Sequence, residues 1–406
     1  MKILWLCGNP GMYHSQTKDG DGWIGALQKE LLSHYLDVEL VNVFRYDSSN
    51  QKEQDGKVTY YPIQMNFRDK LKCGFSIKNF DRLFLQRIMK IIQIERPDII
   101  HCWGSEMNFG LISSMTDIPV VLHIQGLLNP YLDAFFPPKY NLNSLLKARK
   151  FNVISFLKKD YWGFQVFKKM ASRERLILSI QKNIIGRTIW DKSCAEVLSP
   201  NAEYFYCSES LRTSITSSDK WKWHNNKKLI VSSIMSGALY KGVDVILRTS
   251  KILKDIWGDN FAWNIYGIND IRIHENITGI KAKEVNVFCR GRVTGSEISK
   301  ELLESDVYCH ESYIENSPNS VCEAQYLGVP VVAAMVGGVD TIIKEGSGIL
   351  VPANDAYRSA TSIISLKRNK QLSENISSKE ICLATERHKN VSAQLMNIYK
   401  KILENR

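Results

Sequence analysis

The chain has 406 residues, of which 44% are hydrophobic and 23% charged, with 24 glycines and 11 prolines. Those proportions exclude a disordered or collagen-like chain, and the length suits two domains better than one. With 53 basic residues against 42 acidic ones the formal charge is +11, so a polyanionic neighbour is expected: a phosphorylated substrate, an anionic membrane surface or nucleic acid.

Nine cysteines are scattered from Cys7 to Cys382 with no Cys-x-x-Cys spacing, and an odd count of isolated thiols argues against a disulfide framework or a zinc ribbon. Such usage fits a reducing cytosol. The apolar run after Lys2 ends within about five residues at Gly8-Asn-Pro-Gly11, too short for a signal sequence, and reads as a first strand. No stretch approaches the roughly 20 apolar residues of a membrane span.

In chain order, Lys2–Leu6 reads as a strand, Trp23–Leu32 as an amphipathic helix and Val38–Val43 as a second strand. Arg82–Ile94 is helix-periodic, and Asp98–Trp103 and Val120–Ile124 are strands ending in polar, glycine-bearing loops. Buried apolar strands separated by helices point to a parallel sheet covered on both faces. Residues 137–185 break the rhythm. Their basic residues, from Lys139 to Lys182, are opposed only by Asp160 and Glu174, and they interleave with rings such as Phe151, Tyr161, Trp162 and Phe164. A basic helix with an aromatic face can lie on anionic lipid, so this insertion is expected to meet a membrane surface or the acceptor. No nucleic-acid motif accompanies it, and none is expected as a partner.

A second alternating series begins near Lys227, with strands expected at Leu229–Ile234, Phe261–Tyr266, Val285–Cys289, Asp306–His310, Val329–Ala333 and Gly348–Val351. Helices fit at Asp244–Asp255, Ser296–Glu304 and Pro318–Leu327. The expectation is an α/β chain of two Rossmann-like, doubly wound domains facing across a cleft: residues 1–215 with the insertion, residues 227–385, and a C-terminal helix over 386–406 returning to the first.

The most informative stretch runs from His310 to Pro330: strand, polar loop, helix, then Gly-Val-Pro into the next strand. Ser317 is placed as N-cap with Pro318 at the first helical position, which would aim the amides of Asn319 and Ser320 at phosphate oxygens. Seven residues separate Glu315 in the loop from Glu323 inside the helix, so both can face one crevice.

Glu315-x7-Glu323, followed by Ala324, Gly328-Val-Pro-Val-Val332 and Gly337-Gly-Val-Asp340, resembles the motif of retaining GT-B glycosyltransferases of the family-4 type, found in bacterial polysaccharide biosynthesis. The resemblance implies that Glu315 lies near the donor sugar and Glu323 binds the nucleotide ribose, work that suits an acceptor-only carboxylate. It implies that Lys241, in Lys241-Gly242, meets the donor diphosphate as a point charge. An Arg commonly precedes that lysine by five residues in the family; here the position is Ser236, and Arg290 or Arg292, beside Gly291, is the candidate substitute. Gly267, after the strand Phe261–Tyr266, and Gly11 in the first glycine loop complete the donor-binding set. His123, in Val-Val-Leu-His-Ile-Gln-Gly126, ends a strand at the active edge, where the family often has a His facing the reacting sugar; a satisfied core histidine is the other reading. His101 ends an earlier strand in the same way. Arg187, in Gly186-Arg-Thr-Ile-Trp-Asp191, either contacts a phosphate or pairs with Asp191 to hold a turn.

Gly20-x-Gly22-x-x-Gly25 matches a dinucleotide fingerprint, but it does not follow the first strand directly, and no NAD is expected. No metal-ligand spacing, nucleophile elbow or P-loop occurs. The resemblance thus implies a metal-independent transferase without a cofactor, using a nucleotide-sugar donor and a saccharide or lipid-linked glycan acceptor, cytoplasmic and peripheral at the inner face of the membrane. A nucleotide-sugar epimerase and a degenerate glycan-binding module on the same fold are the alternatives.

Overall fold

A computed structural model describes residues 1–8, 10–13, 22–49, 51–73 and 76–405. The chain falls into two compact units: Met1–Asn129, Phe167–Arg212 and His388–Arg406 form the first, and Pro130–Val166 with Thr213–Arg387 the second.

Among the described residues the first unit holds an eight-stranded sheet. Its strands are β1 (Lys2–Cys7), β2 (Glu39–Arg45), β3 (Glu53–Asp55), β4 (Val58–Ile63), β5 (Ile99–Trp103), β6 (Val120–His123), β7 (Asn183–Gly186) and β8 (Glu203–Tyr206). Their order is β3-β4-β2-β1-β5-β6-β7-β8, and only β3 runs antiparallel to its neighbour. β1 shows why the strands read as unbroken apolar runs. Ile3, Trp5 and Cys7 enter the core on one face while Leu4 and Leu6 enter the core on the other, so neither face is left to water.

The second unit holds a six-stranded, wholly parallel sheet among the described residues. Its strands are β9 (Leu229–Ile234), β10 (Phe261–Tyr266), β11 (Val287–Gly291), β12 (Val307–His310), β13 (Val331–Ala334) and β14 (Ile349–Val351), in the order β11-β10-β9-β12-β13-β14. The direction of winding reverses between β9 and β12. At such a switch point, outside the carboxyl ends of the strands, open α/β sheets bind their ligands.

Three expectations change. The basic stretch 137–185 is not one insertion in the N-terminal domain. Its later part, from Phe167, belongs to the first unit, because Ile177 and Leu178 fill that core. The buried Glu174 carboxylate there accepts from the Ser105 hydroxyl and from the Leu128 and Asn129 N–H groups. The earlier part, Pro130–Val166, clusters with the second unit, where Tyr140 shares a 2.7 Å hydrogen bond with His274 and Asn276 donates to the Ala148 carbonyl at 2.8 Å. The strand expected at Val285 begins instead at Val287, because Ala282–Val285 forms a 3-10 turn closed by Asn286 at φ 54°. The helix expected from Pro318 starts at Asn319: Pro318 (ψ 111°) is its N-cap, in place of Ser317, and its carbonyl accepts the first helical bonds from Val321 and Cys322.

The C-terminal helix Val391–Glu404 packs within the first unit. There the fully buried Tyr399 hydroxyl accepts from the Trp5 indole N–H at 3.1 Å. An indole nitrogen only donates, so the hydroxyl proton is left for His101 Nδ1, 2.5 Å away. Tyr399→Phe would strand both buried groups, at a cost of about 1–3 kcal/mol. Urea unfolding followed by far-UV circular dichroism should show that loss as a lower midpoint.

Candidate active site

The crevice beside β9 and β12 is built by two loops that approach each other to backbone contact. The loop after β9 ends in a 3-10 turn, Leu239–Lys241, stopped by Gly242 in the left-handed region at φ 76°. A Cβ on Gly242 would collide with the Glu311 carbonyl oxygen, so the residue after Lys241 has to be glycine. The loop after β12 carries Glu315, whose carbonyl accepts from the Gly338 N–H at 3.0 Å and lies against Gly337 (φ 53°), where a Cβ would again collide. Between the loops the Tyr313 N–H donates to the Tyr240 carbonyl at 2.8 Å.

This framework brings Lys241 and Glu315 together. The carboxylate is buried (8% exposed for the residue), and its Oε2 is ion-paired with Lys241 Nζ. His310 Nε2 stands 3.5 Å from the same oxygen, and the Ser312 hydroxyl donates to it at 3.4 Å. Oε1 accepts from the Tyr131 hydroxyl at 3.2 Å. Burial by itself would push the Glu315 carboxyl up; the Lys241 ammonium and the His310 ring outweigh it and hold it down at about 2. Glu311, also buried beside the loops, goes the other way, because burial dominates and pushes its carboxyl up.

The helix Asn319–Leu327 opens beyond Glu315, with Asn319 and Ser320 half-buried in its first turn and Glu323 buried (3% exposed) one turn further in. A helix N-terminus of this kind offers amide donors and the positive end of its dipole to an anion. Gly267 follows β10 beside the Met235 carbonyl, and its N–H donates to the Gly291 carbonyl at 2.7 Å. Arg290, on the edge strand β11, donates through Nε to Asn264 Oδ1 at 3.0 Å and lies over the Phe288 ring.

His123 and Gly11 belong to the first unit. Gly11 lies against Gln28 and Asn42, whereas Gly20 of the glycine-rich fingerprint is outside the described residues. His123 ends β6 with its ring 4.7 Å from Trp103 and 5.3 Å from His101, stacked on both. Burial, then His101 and Arg187, pushes its pKa well below the usual histidine range, so the ring is neutral. Neither of its nitrogens has a hydrogen-bond partner among the described residues. Arg187 shares the expected local turn with Asp191 through its backbone. Its backbone N–H donates to Asp191, which completes a capping box with Thr188, and its guanidinium is ion-paired with the buried Glu209.

Sequence reasoning missed Tyr131 and gave His310 no role. Tyr131 precedes Glu315 by 184 positions and lies in no motif; only the path of Pro130–Val166 puts it there. His310 ends β12, and only the folding of the loop after it sets its ring beside the carboxylate.

Residues 216–381 match the model of the family glycosyl transferases group 1. Over that stretch, fewer than half of its residues, the chain is similar to the group 1 glycosyltransferases. It is 24% identical over 298 residues to the sulfoquinovosyl transferase SQD2 of Arabidopsis thaliana, a match covering 71% of this chain and 54% of the plant protein, so it spans about half the length of that relative. Among solved structures, the sucrose-phosphate synthase of Thermosynechococcus elongatus superposes with a TM-score of 0.73 at 14% identity, over 100% of both chains. The Anabaena protein HepE, crystallised with UDP and glucose, superposes with a TM-score of 0.59 at 16% identity over 100% of this chain and 99% of its own. At such identities the likeness establishes the fold, which is GT-B.

The Lys241–Glu315 pair makes a prediction about acid. Because the folded pKa of Glu315 is depressed, its contribution to stability is fully present above the ordinary carboxyl value and is lost as pH falls through about 2. Lys241→Met removes the main compensation for burial and should cost about 3–5 kcal/mol at neutral pH. The mutant's carboxyl is then pushed up, so its deficit should shrink as the medium is acidified from pH 7. Denaturant midpoints at neutral and mildly acidic pH check both the size and the sign.

Proposed function

We propose that this protein transfers a sugar from a nucleoside-diphosphate sugar to a saccharide or lipid-linked saccharide acceptor, with retention at the anomeric carbon, in cell-surface polysaccharide biosynthesis. The observation that carries the reading is the meeting of Lys241, Glu315 and the N-terminus of the helix Asn319–Leu327 at the switch point of a parallel sheet. In this reading Glu323 accepts hydrogen bonds from the ribose diol. Lys241 and the amides of Asn319 and Ser320 hold the diphosphate, and Glu315 takes a sugar hydroxyl. The UDP and glucose held by HepE support a nucleotide-sugar donor.

The acceptor hydroxyl oxygen bonds to the anomeric carbon as the bond to the phosphate oxygen breaks. The electron pair leaves with the diphosphate, and the acceptor's proton passes to it. The departing charge is met by Lys241 and the helix amides without a metal ion. His123, neutral and with unpartnered nitrogens, can exchange a hydrogen bond with a sugar hydroxyl but carries no charge to the reaction. Retention and the polysaccharide role rest on the motif resemblance.

A panel of UDP-, GDP- and ADP-sugars, scored for nucleoside diphosphate release with and without saccharide acceptors, tests the activity. One donor should turn over only when an acceptor is present. Isomerised donor, or binding without turnover across the panel, would remove the transferase reading. Glu323→Ala should weaken binding of the matching nucleoside diphosphate about 10- to 100-fold, the worth of hydrogen bonds to a charged group.

We also propose that Pro130–Val166 rests on the anionic inner face of a membrane. Ile154 is 80% exposed, Phe151 66% and Trp162 57%, an unusual set of apolar surface residues, and Lys150, Lys158 and Lys159 are exposed among them. No helix among the described residues is long and apolar enough to cross a membrane. Reversing the three lysines to glutamate should abolish flotation with anionic vesicles, since each contributes about 1 kcal/mol near such a surface. Flotation equal to wild type would sink the idea.

A further inference from the structure

Oε1 and Oε2 of Glu315 are in different situations. Oε2 faces Lys241, His310 and Ser312, whereas the contact on Oε1 is the Tyr131 hydroxyl, donating at 3.2 Å. The same hydroxyl accepts from the Asn316 N–H at 3.0 Å. A carboxylate oxygen and a backbone N–H side by side form a receptor for one kind of group, which must donate and accept at once. A sugar hydroxyl is such a group, and so is the phenol of tyrosine.

We infer that Tyr131 is a built-in occupant of the donor-sugar subsite: its hydroxyl holds the place between Glu315 and Asn316 that a hydroxyl of the donor sugar takes, and it must withdraw when the sugar arrives. This rests on the reading of Glu315 as the sugar-binding carboxylate. The placement of the ring supports it. Tyr131 is buried (7% exposed), and its ring meets that of Tyr240 edge-on at 5.3 Å, beside the residue that pairs with Glu315. Burial and the adjacent Glu315 push the phenol pKa far up, so the proton needed for donation is present across the physiological range. The Tyr131 hydroxyl thus answers a buried carboxylate oxygen and a buried amide together. Arrival of the sugar becomes an exchange of one hydroxyl for another.

The exchange predicts that the sugar moiety, and not the nucleotide, competes with Tyr131. Tyr131→Phe keeps the ring and deletes the hydroxyl. UDP-, GDP- and ADP-glucose would each be titrated calorimetrically against wild type and Y131F, beside the matching nucleoside diphosphate. The expected result is a gain of about fivefold in affinity for the intact nucleotide sugar, the worth of roughly one neutral hydrogen bond, with nucleoside diphosphate affinity unchanged. A weaker affinity for the nucleotide sugar would show that Tyr131 helps to hold it, and equal affinity would show that the contact is idle; either overturns the inference. Hydrogen exchange on the wild-type protein gives a readout independent of the substitution. Nucleotide sugar, but not nucleoside diphosphate, should speed exchange of the amides around Tyr131, and unchanged or slowed exchange overturns the inference. If wild type binds no nucleotide at all, the donor-site reading itself fails, and the inference falls with it.

Discussion

A buried ion pair between Lys241 and Glu315 organises the second unit around its crevice. Two charges taken out of water are tolerable only if each satisfies the other and their remaining hydrogen-bonding capacity is met, which here falls to His310, Ser312 and Tyr131. To bring the pair together the loops after β9 and β12 must touch, and that contact leaves no room for a side chain at Gly242 or Gly337. The glycines, the loop-to-loop hydrogen bond and the depressed carboxyl are consequences of one requirement.

The same pair sets the electrostatics for an incoming donor. The charges of Lys241 and Glu315 offset each other, so Lys241 is not a bare cation. In the proposed reading, donor phosphates would share Lys241 with Glu315 or draw it away. The amides at the start of the helix Asn319–Leu327 do not carry that constraint, because their partial charge is fixed by the backbone.

The first unit is arranged on different terms. Its strand ends bear a buried aromatic stack, with His123 against Trp103 and His101, and Tyr399 fixing the His101 ring from the C-terminal helix. Desolvation keeps both histidines neutral, so they can direct a hydroxyl by hydrogen bonding without adding charge. The first unit also buries a charge pair, Arg187 with Glu209, but keeps it apart from this neutral stack.

The amino-acid sequence by itself determined the parallel α/β character, most strand positions and the Glu315–Glu323 helix, because continuous apolar runs and glycine punctuation are local properties that need no partner to be read. It also placed Lys241 and Glu315 on loops at strand ends. Only the tertiary structure decided that those loops leave adjacent strands, since β9 and β12 lie side by side through a crossover whose length gives no hint of strand order. It also decided the allegiance of residues 130–166 and 167–185, which share one basic, aromatic composition. Composition reports what a segment can bury, whereas Tyr140 on His274 and Glu174 on Ser105 depend on which polar groups elsewhere need those partners. Tyr131 is the extreme case: its meaning lies in a carboxylate oxygen and an amide 184 and 185 positions away, and only folding brings them together.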